Sequence, residues 1–120
     1  MNLSRWLRFL PVSLLLCGGA AAVAAPPVPG GEPDGARQRV LIHMVRQDCG
    51  SCHGMKLTGG LGPALTREAL AEWPVDSLAA TIFHGRPGTP MPPWSAMLNE
   101  AEARWIAVRL QQGFPEENTK

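Results

Sequence analysis

Beyond residue 24 this chain holds two cysteines, so the disulfide staples typical of small exported domains are excluded. It also lacks a basic cluster. Lys and Arg number 11 against 10 Asp and Glu, and no stretch concentrates the cations, which argues against a nucleic-acid partner. There is no internal repeat and no alternating apolar–polar run that reads as a strand. The longest apolar stretch, Phe9 to Cys17, contains Pro11 and is too short for a comfortable membrane span. No Arg-Arg pair precedes it, which favours the Sec route over twin-arginine export.

The first 24 residues read as a secretory signal peptide. Arg5 and Arg8 stand before the apolar core, no acid accompanies them, and Ala22-Val23-Ala24 offers the cleavage site. Leu16, just ahead of Cys17, is the wrong size for a lipoprotein signal. A retained N-terminal anchor is the alternative that the short apolar run disfavours. Cleavage leaves 96 residues with nine basic and ten acidic side chains, a net charge of −1 and length for one small domain. The expected destination is the periplasm, with no stable membrane span after cleavage.

The strongest motif is Cys49-Gly50-Ser51-Cys52-His53. C-x-x-C-H marks covalent c-type haem attachment. Cysteines three apart on a helical turn face the same way, so each thiol can add to one porphyrin vinyl group. His53 follows directly and can offer a ring nitrogen to the iron. A thioredoxin-like dithiol needs a preceding strand, and a zinc site needs two further close ligands. Neither requirement is met.

The rest of the chain reads as helices joined by constrained loops. Residues 25–33, with four prolines and two glycines, form a flexible lead-in to a domain over 34–113, followed by a tail over 114–120. Asp34 is positioned to cap a helix from Gly35 to Asp48, with Leu41, Met44 and Val45 as its apolar stripe. His43 projects opposite Leu41, toward solvent. The glycine-rich segment 54–65 is an irregular loop. Thr66 caps a short helix that Pro74 ends, and Asp76 caps another from Ser77 to His84, stopped by Gly85. Asn99 and Glu102 form a capping pair for a last helix closed by Gly113. That helix carries two apolar stripes, Ala101-Trp105-Val108 and Ala103-Ile106-Leu110.

What stands opposite His53 on the iron decides between electron transfer and ligand binding. Met55 is too close to His53 to reach the other face, and Met44 and Met97 read as core filler. Met91 lies in Gly88-Thr89-Pro90-Met91-Pro92-Pro93-Trp94, where prolines stiffen the backbone around one thioether. Met91 is the leading candidate for the sixth ligand, and His84, ending the helix before this loop, is the runner-up.

These residues, in this order, resemble the class I monohaem cytochromes c: a helix, Cys49 to Gly54, Gly62-Pro63-Ala64-Leu65, Met91-Pro92 and a terminal helix with Trp105. The resemblance implies an all-α fold of three to five helices around one covalent haem c. It implies that the Pro63 carbonyl holds the His53 imidazole, and that the first and last helices cross near Trp105. The two loops, Met55 to Leu65 and His84 to Trp94, are similar to those of the small NirC-type cytochromes associated with cytochrome cd1 nitrite reductase. That likeness implies a non-enzymatic electron carrier serving a periplasmic redox partner such as that reductase. The alternatives are a helper in haem d1 supply and a gas-binding haem protein with a labile sixth ligand.

Overall fold

A computed structural model describes residues 30–117. The leader, its cleavage site, most of the lead-in and the last three residues lie outside them. Among the described residues the fold is all-α, with no strand. Asp34 opens helix α1 (Gly35–Met44) by accepting a hydrogen bond from the Arg37 backbone N–H at 2.8 Å. The helical run does not end at Asp48, as the sequence suggests. It continues through a π-helical turn, Val45–Cys49, into the short helix α2 (Gly50–His53). Gly50 N–H bonds back to the Val45 carbonyl, the five-residue reach of π geometry. One helical segment therefore carries both cysteines and the histidine. Leu41 and Val45 are fully enclosed and Met44 is buried, as the stripe requires.

Thr66 caps α3 (Arg67–Leu70), its hydroxyl accepting from Ala69 N–H at 3.3 Å. Pro74 does not end this helix; it immediately precedes α4 (Val75–His84). Asp76 is consequently not a cap. Proline disfavours helical backbone in the residue before it but leaves the residues after it free to wind, so α4 starts at Val75. Asp76 falls in the first turn and pairs with Arg104 of the last helix instead. Helix α5 (Glu100–Gln112) begins with a full capping box. Asn99 accepts from Glu102 N–H at 2.9 Å, and Glu102 accepts from Asn99 N–H at 3.0 Å.

Helix α4 lies along α5, and α3 packs against it as well. Trp105, Ile106 and Leu110 of α5 meet Leu41, Met44 and Val45 in one core with Leu57, Leu70 and Leu98. Helix α1 is further joined to α5 by Arg37, whose guanidinium donates to both carboxylate oxygens of Glu102 at 2.6 and 3.0 Å. Arg37 also donates to the Met97 carbonyl at 3.0 Å. The Met97 side chain is half exposed and so is not the core filler its position suggests; the residue is tied in by its carbonyl instead. At the end of the lead-in, Glu32 accepts from Trp105 Nε1 at 3.2 Å and from Arg109 at 2.8 Å. The residues before α1 are thus tied to α5, the helix farthest from them in sequence.

Candidate haem-attachment site

Cys49 closes the π turn, and Cys52 and His53 lie in α2. Both thiols are free and half-buried. Burial, reinforced by the Asp48 carboxylate, pushes the Cys49 thiol up to about 11, so it remains protonated at neutral pH until it is alkylated.

The loop after His53 is folded back on α2 by backbone bonds. Gly59 N–H donates to the His53 carbonyl at 2.8 Å, and Gly62 N–H donates to that of Cys52 at 2.7 Å. These satisfy carbonyls that a helix end leaves without partners. The fold-back delivers the Pro63 carbonyl to 2.7 Å from His53 Nδ1. A carbonyl only accepts, so Nδ1 carries the proton and neutral imidazole keeps its lone pair on Nε2. The ring is buried and clamped from one side by Gly62. A Cβ at that position would stand 2.7 Å from both Nδ1 and Cε1 of His53. The importance of Gly62 was hard to foresee, since its only sequence signal is a glycine directly before Pro63.

Met91 comes from a separate loop bound at both ends to α4. Arg86 N–H donates to the Met91 carbonyl at 3.1 Å, while Trp94 and Ser95 N–H groups donate to Ile82 and Phe83 carbonyls at 3.3 and 3.2 Å. The Met91 N–H donates to Thr89 Oγ1 at 3.3 Å. Gly85, buried with φ +69°, lies under this loop, and a Cβ there would meet the Pro92–Pro93 peptide at 2.6 Å. Met91 is half-buried. His84 is exposed, its ring edge-on to Phe83 at 5.0 Å. Arg86 is exposed too.

Two free thiols and an imidazole of fixed tautomer on one helical segment match the donors a thioether-linked haem requires. With the all-α fold, they define a c-type cytochrome. Residues 37–108 match the family described as cytochrome c oxidase, cbb3-type, subunit III. The chain is 59% identical over 83 residues to cytochrome c55X of Stutzerimonas stutzeri, covering 69% of this chain and 74% of that one. A solved c-type cytochrome NirC shares 57% identity at a TM-score of 0.66, covering 67% of this chain and 94% of that one. A dihydro-haem d1 dehydrogenase of Pseudomonas aeruginosa is 33% identical over 111 residues, which is 92% of this chain and 20% of that enzyme. The chain belongs to the c-type cytochromes of the NirC, or c55X, type, and it carries covalently bound haem c.

Proposed function

We propose that this protein is a periplasmic one-electron carrier that holds haem c by Cys49 and Cys52 and its iron by His53 and Met91. The observation that carries the reading is the His53–Pro63 contact at 2.7 Å, which leaves the Nε2 lone pair free and would orient the imidazole as an iron ligand. The bound haem supplies reversible one-electron chemistry. His53, held by Pro63 and Gly62, keeps its orientation in both oxidation states. Met91, on a loop pinned to α4, presents a thioether that favours the ferrous state and raises the potential. Ligands held this way by the backbone would keep the reorganisation cost of electron transfer low.

The leader over residues 1–24 supports export to the periplasm. Among the described residues no helix is long and apolar enough to cross a membrane. Exposed Met55, Leu61 and Met97 suit the brief, small contacts of redox partners. Cytochrome cd1 nitrite reductase is the acceptor this reading names.

Ferric and ferrous spectra of the wild type, Met91→Ala and His84→Ala test the ligation. The wild type and His84→Ala are expected to show the weak long-wavelength sulfur-to-iron band and to resist carbon monoxide. Met91→Ala is expected to lose the band and bind carbon monoxide. Rapid carbon monoxide binding by the wild type would overturn the carrier reading and favour gas binding.

A second reading has its own support. A stretch of a dihydro-haem d1 dehydrogenase is related to nearly the whole of this chain. A dehydrogenation releases electrons that a c-type cytochrome can accept one at a time. The protein would then serve haem d1 supply. Stopped-flow mixing of the ferric protein with such a dehydrogenase and its substrate, and of the ferrous protein with nitrite reductase, separates the two roles by which electron transfer is fast.

A further inference from the structure

The π turn between α1 and α2 alters where His53 points. A straight α-helix advances about 100° per residue, which would leave His53 about 80° around the axis from Val45. A π turn accommodates one extra residue, a lag of about 100°, and this returns His53 to within about 20° of Val45. His53 is buried, like Val45, in accord with that phase. The turn is therefore what aims the imidazole into the protein.

A π turn is rare and appears mostly as a single bulge at a functional site. Here its support comes from the chain end. Arg46, second residue of the turn, is only 6% exposed. Its Nε donates to the Pro115 carbonyl at 3.1 Å, and its Nη2 donates to the Phe114 and Pro115 carbonyls at 2.8 and 2.9 Å. Its guanidinium lies 5.6 Å from the Phe114 ring centroid and pairs with Glu116 at 3.2 Å. Gln47 donates to Glu117 at 3.3 Å, and His43 pairs with the same carboxylate. Residues 43, 46 and 47 thus grip one short peptide from one helical face. A buried guanidinium without acceptors is costly. The tail supplies those acceptors and covers the guanidinium, so its withdrawal exposes Arg46 to water and takes from the turn the contacts that hold it.

We propose that Arg46 and the segment Phe114–Glu117 form a clasp that holds the π turn in phase and so positions His53. Arg46 and the chain end are positioning elements, since they act on the haem only through His53. The spectroscopic part of this inference rests on His53 as an iron ligand.

The test uses holo-protein truncated after Gly113, beside Arg46→Lys and the full-length chain. Amide hydrogen exchange and the ferric electron paramagnetic resonance spectrum are recorded for each. Truncation leaves Arg46 free to hydrate, so the domain is expected to fold. Exchange at Val45–His53 should rise about tenfold or more while α4 and the first half of α5 hold their protection. The ferric g-values, which follow the imidazole plane, should shift. Arg46→Lys, keeping the charge but losing the fork, should move both readouts less in the same direction. Faster exchange confined to the new C-terminus, or spread evenly over all helices, overturns the clasp. So does unchanged exchange. A full-length protein without an imidazole-ligated ferric signal defeats the ligand reading alone, and the exchange pattern still decides the clasp.

Discussion

Gly62 occupies the tightest position beside His53. Any side chain there must displace the imidazole, because the first added carbon would stand 2.7 Å from two ring atoms. Gly62→Ala should cost about 1–3 kcal/mol, the usual penalty for forcing a methyl group into filled space. Thermal unfolding of the holo-protein checks the cost, and the ferric spectrum checks the ring. Wild-type stability with an unchanged spectrum would show that the loop can give way. Pro63 acts through its carbonyl, so Pro63→Ala should disturb the His53 tautomer far less than Gly62→Ala disturbs its position. At this scale the motif from Cys49 to His53 was legible because its chemistry is carried by adjacent residues. Leu57 was not. It is buried at φ +60°, a backbone state costing on the order of 1 kcal/mol for a residue with a Cβ, and no local signal marks it.

Helix α5 shows how far local rules reach at the scale of an element. Asn99 and Glu102 announce its start, Gly113 its end, and the structure has both. Asn99→Ala should lose about 1 kcal/mol of stability, the usual worth of an N-cap, read from the shift of a denaturant midpoint at unchanged slope. Glu102 has a second task that its spacing from Asn99 does not disclose. The hydrogen bond from Arg37 holds its carboxyl below the ordinary value of 4.5, helped by the Asn99 backbone N–H and opposed by burial. A lowered carboxyl contributes stability above its ordinary value, and that contribution is lost as pH falls through the folded-state value. Arg37→Ala should therefore be less stable than wild type at pH 7, and the two should converge as pH falls below the ordinary carboxyl value of 4.5. Arg37 is more than a third exposed, so the gap at pH 7 should stay within about 1 kcal/mol. Urea midpoints measured from pH 3 to 7 check the convergence. The pair joins α1 to α5 across 65 positions of sequence, a separation no periodicity spans. Asp76 carries a related lesson. It has the look of a cap, yet Pro74 sets the start of α4 and frees Asp76 for Arg104.

For the whole molecule, the polypeptide supplies a thin core. Leu41 and Val45 are its largest fully buried side chains among the described residues. A domain this small, without disulfides, gains much of its stability from whatever else fills its centre. The Cys49→Ala, Cys52→Ala chain should therefore be largely unfolded, with far-ultraviolet circular dichroism well short of the holo-protein's helical signal. A native-like spectrum would show that the helices hold together without thioether attachment.

The sequence alone was sufficient for the covalent cofactor, the helical class and the caps of α1 and α5, because each depends on residues a few positions apart. Spacing on one turn, a side chain reaching a nearby N–H and a proline-bounded loop are all local physics. The tertiary structure alone decided that α1 runs on through a π turn to His53. It also decided that Gly62 presses on the imidazole and that the chain end grips Arg46. Each of these is a contact between segments that no local spacing brings together, or a backbone phase that such contacts enforce. Their energies appear only when the chain is closed upon itself.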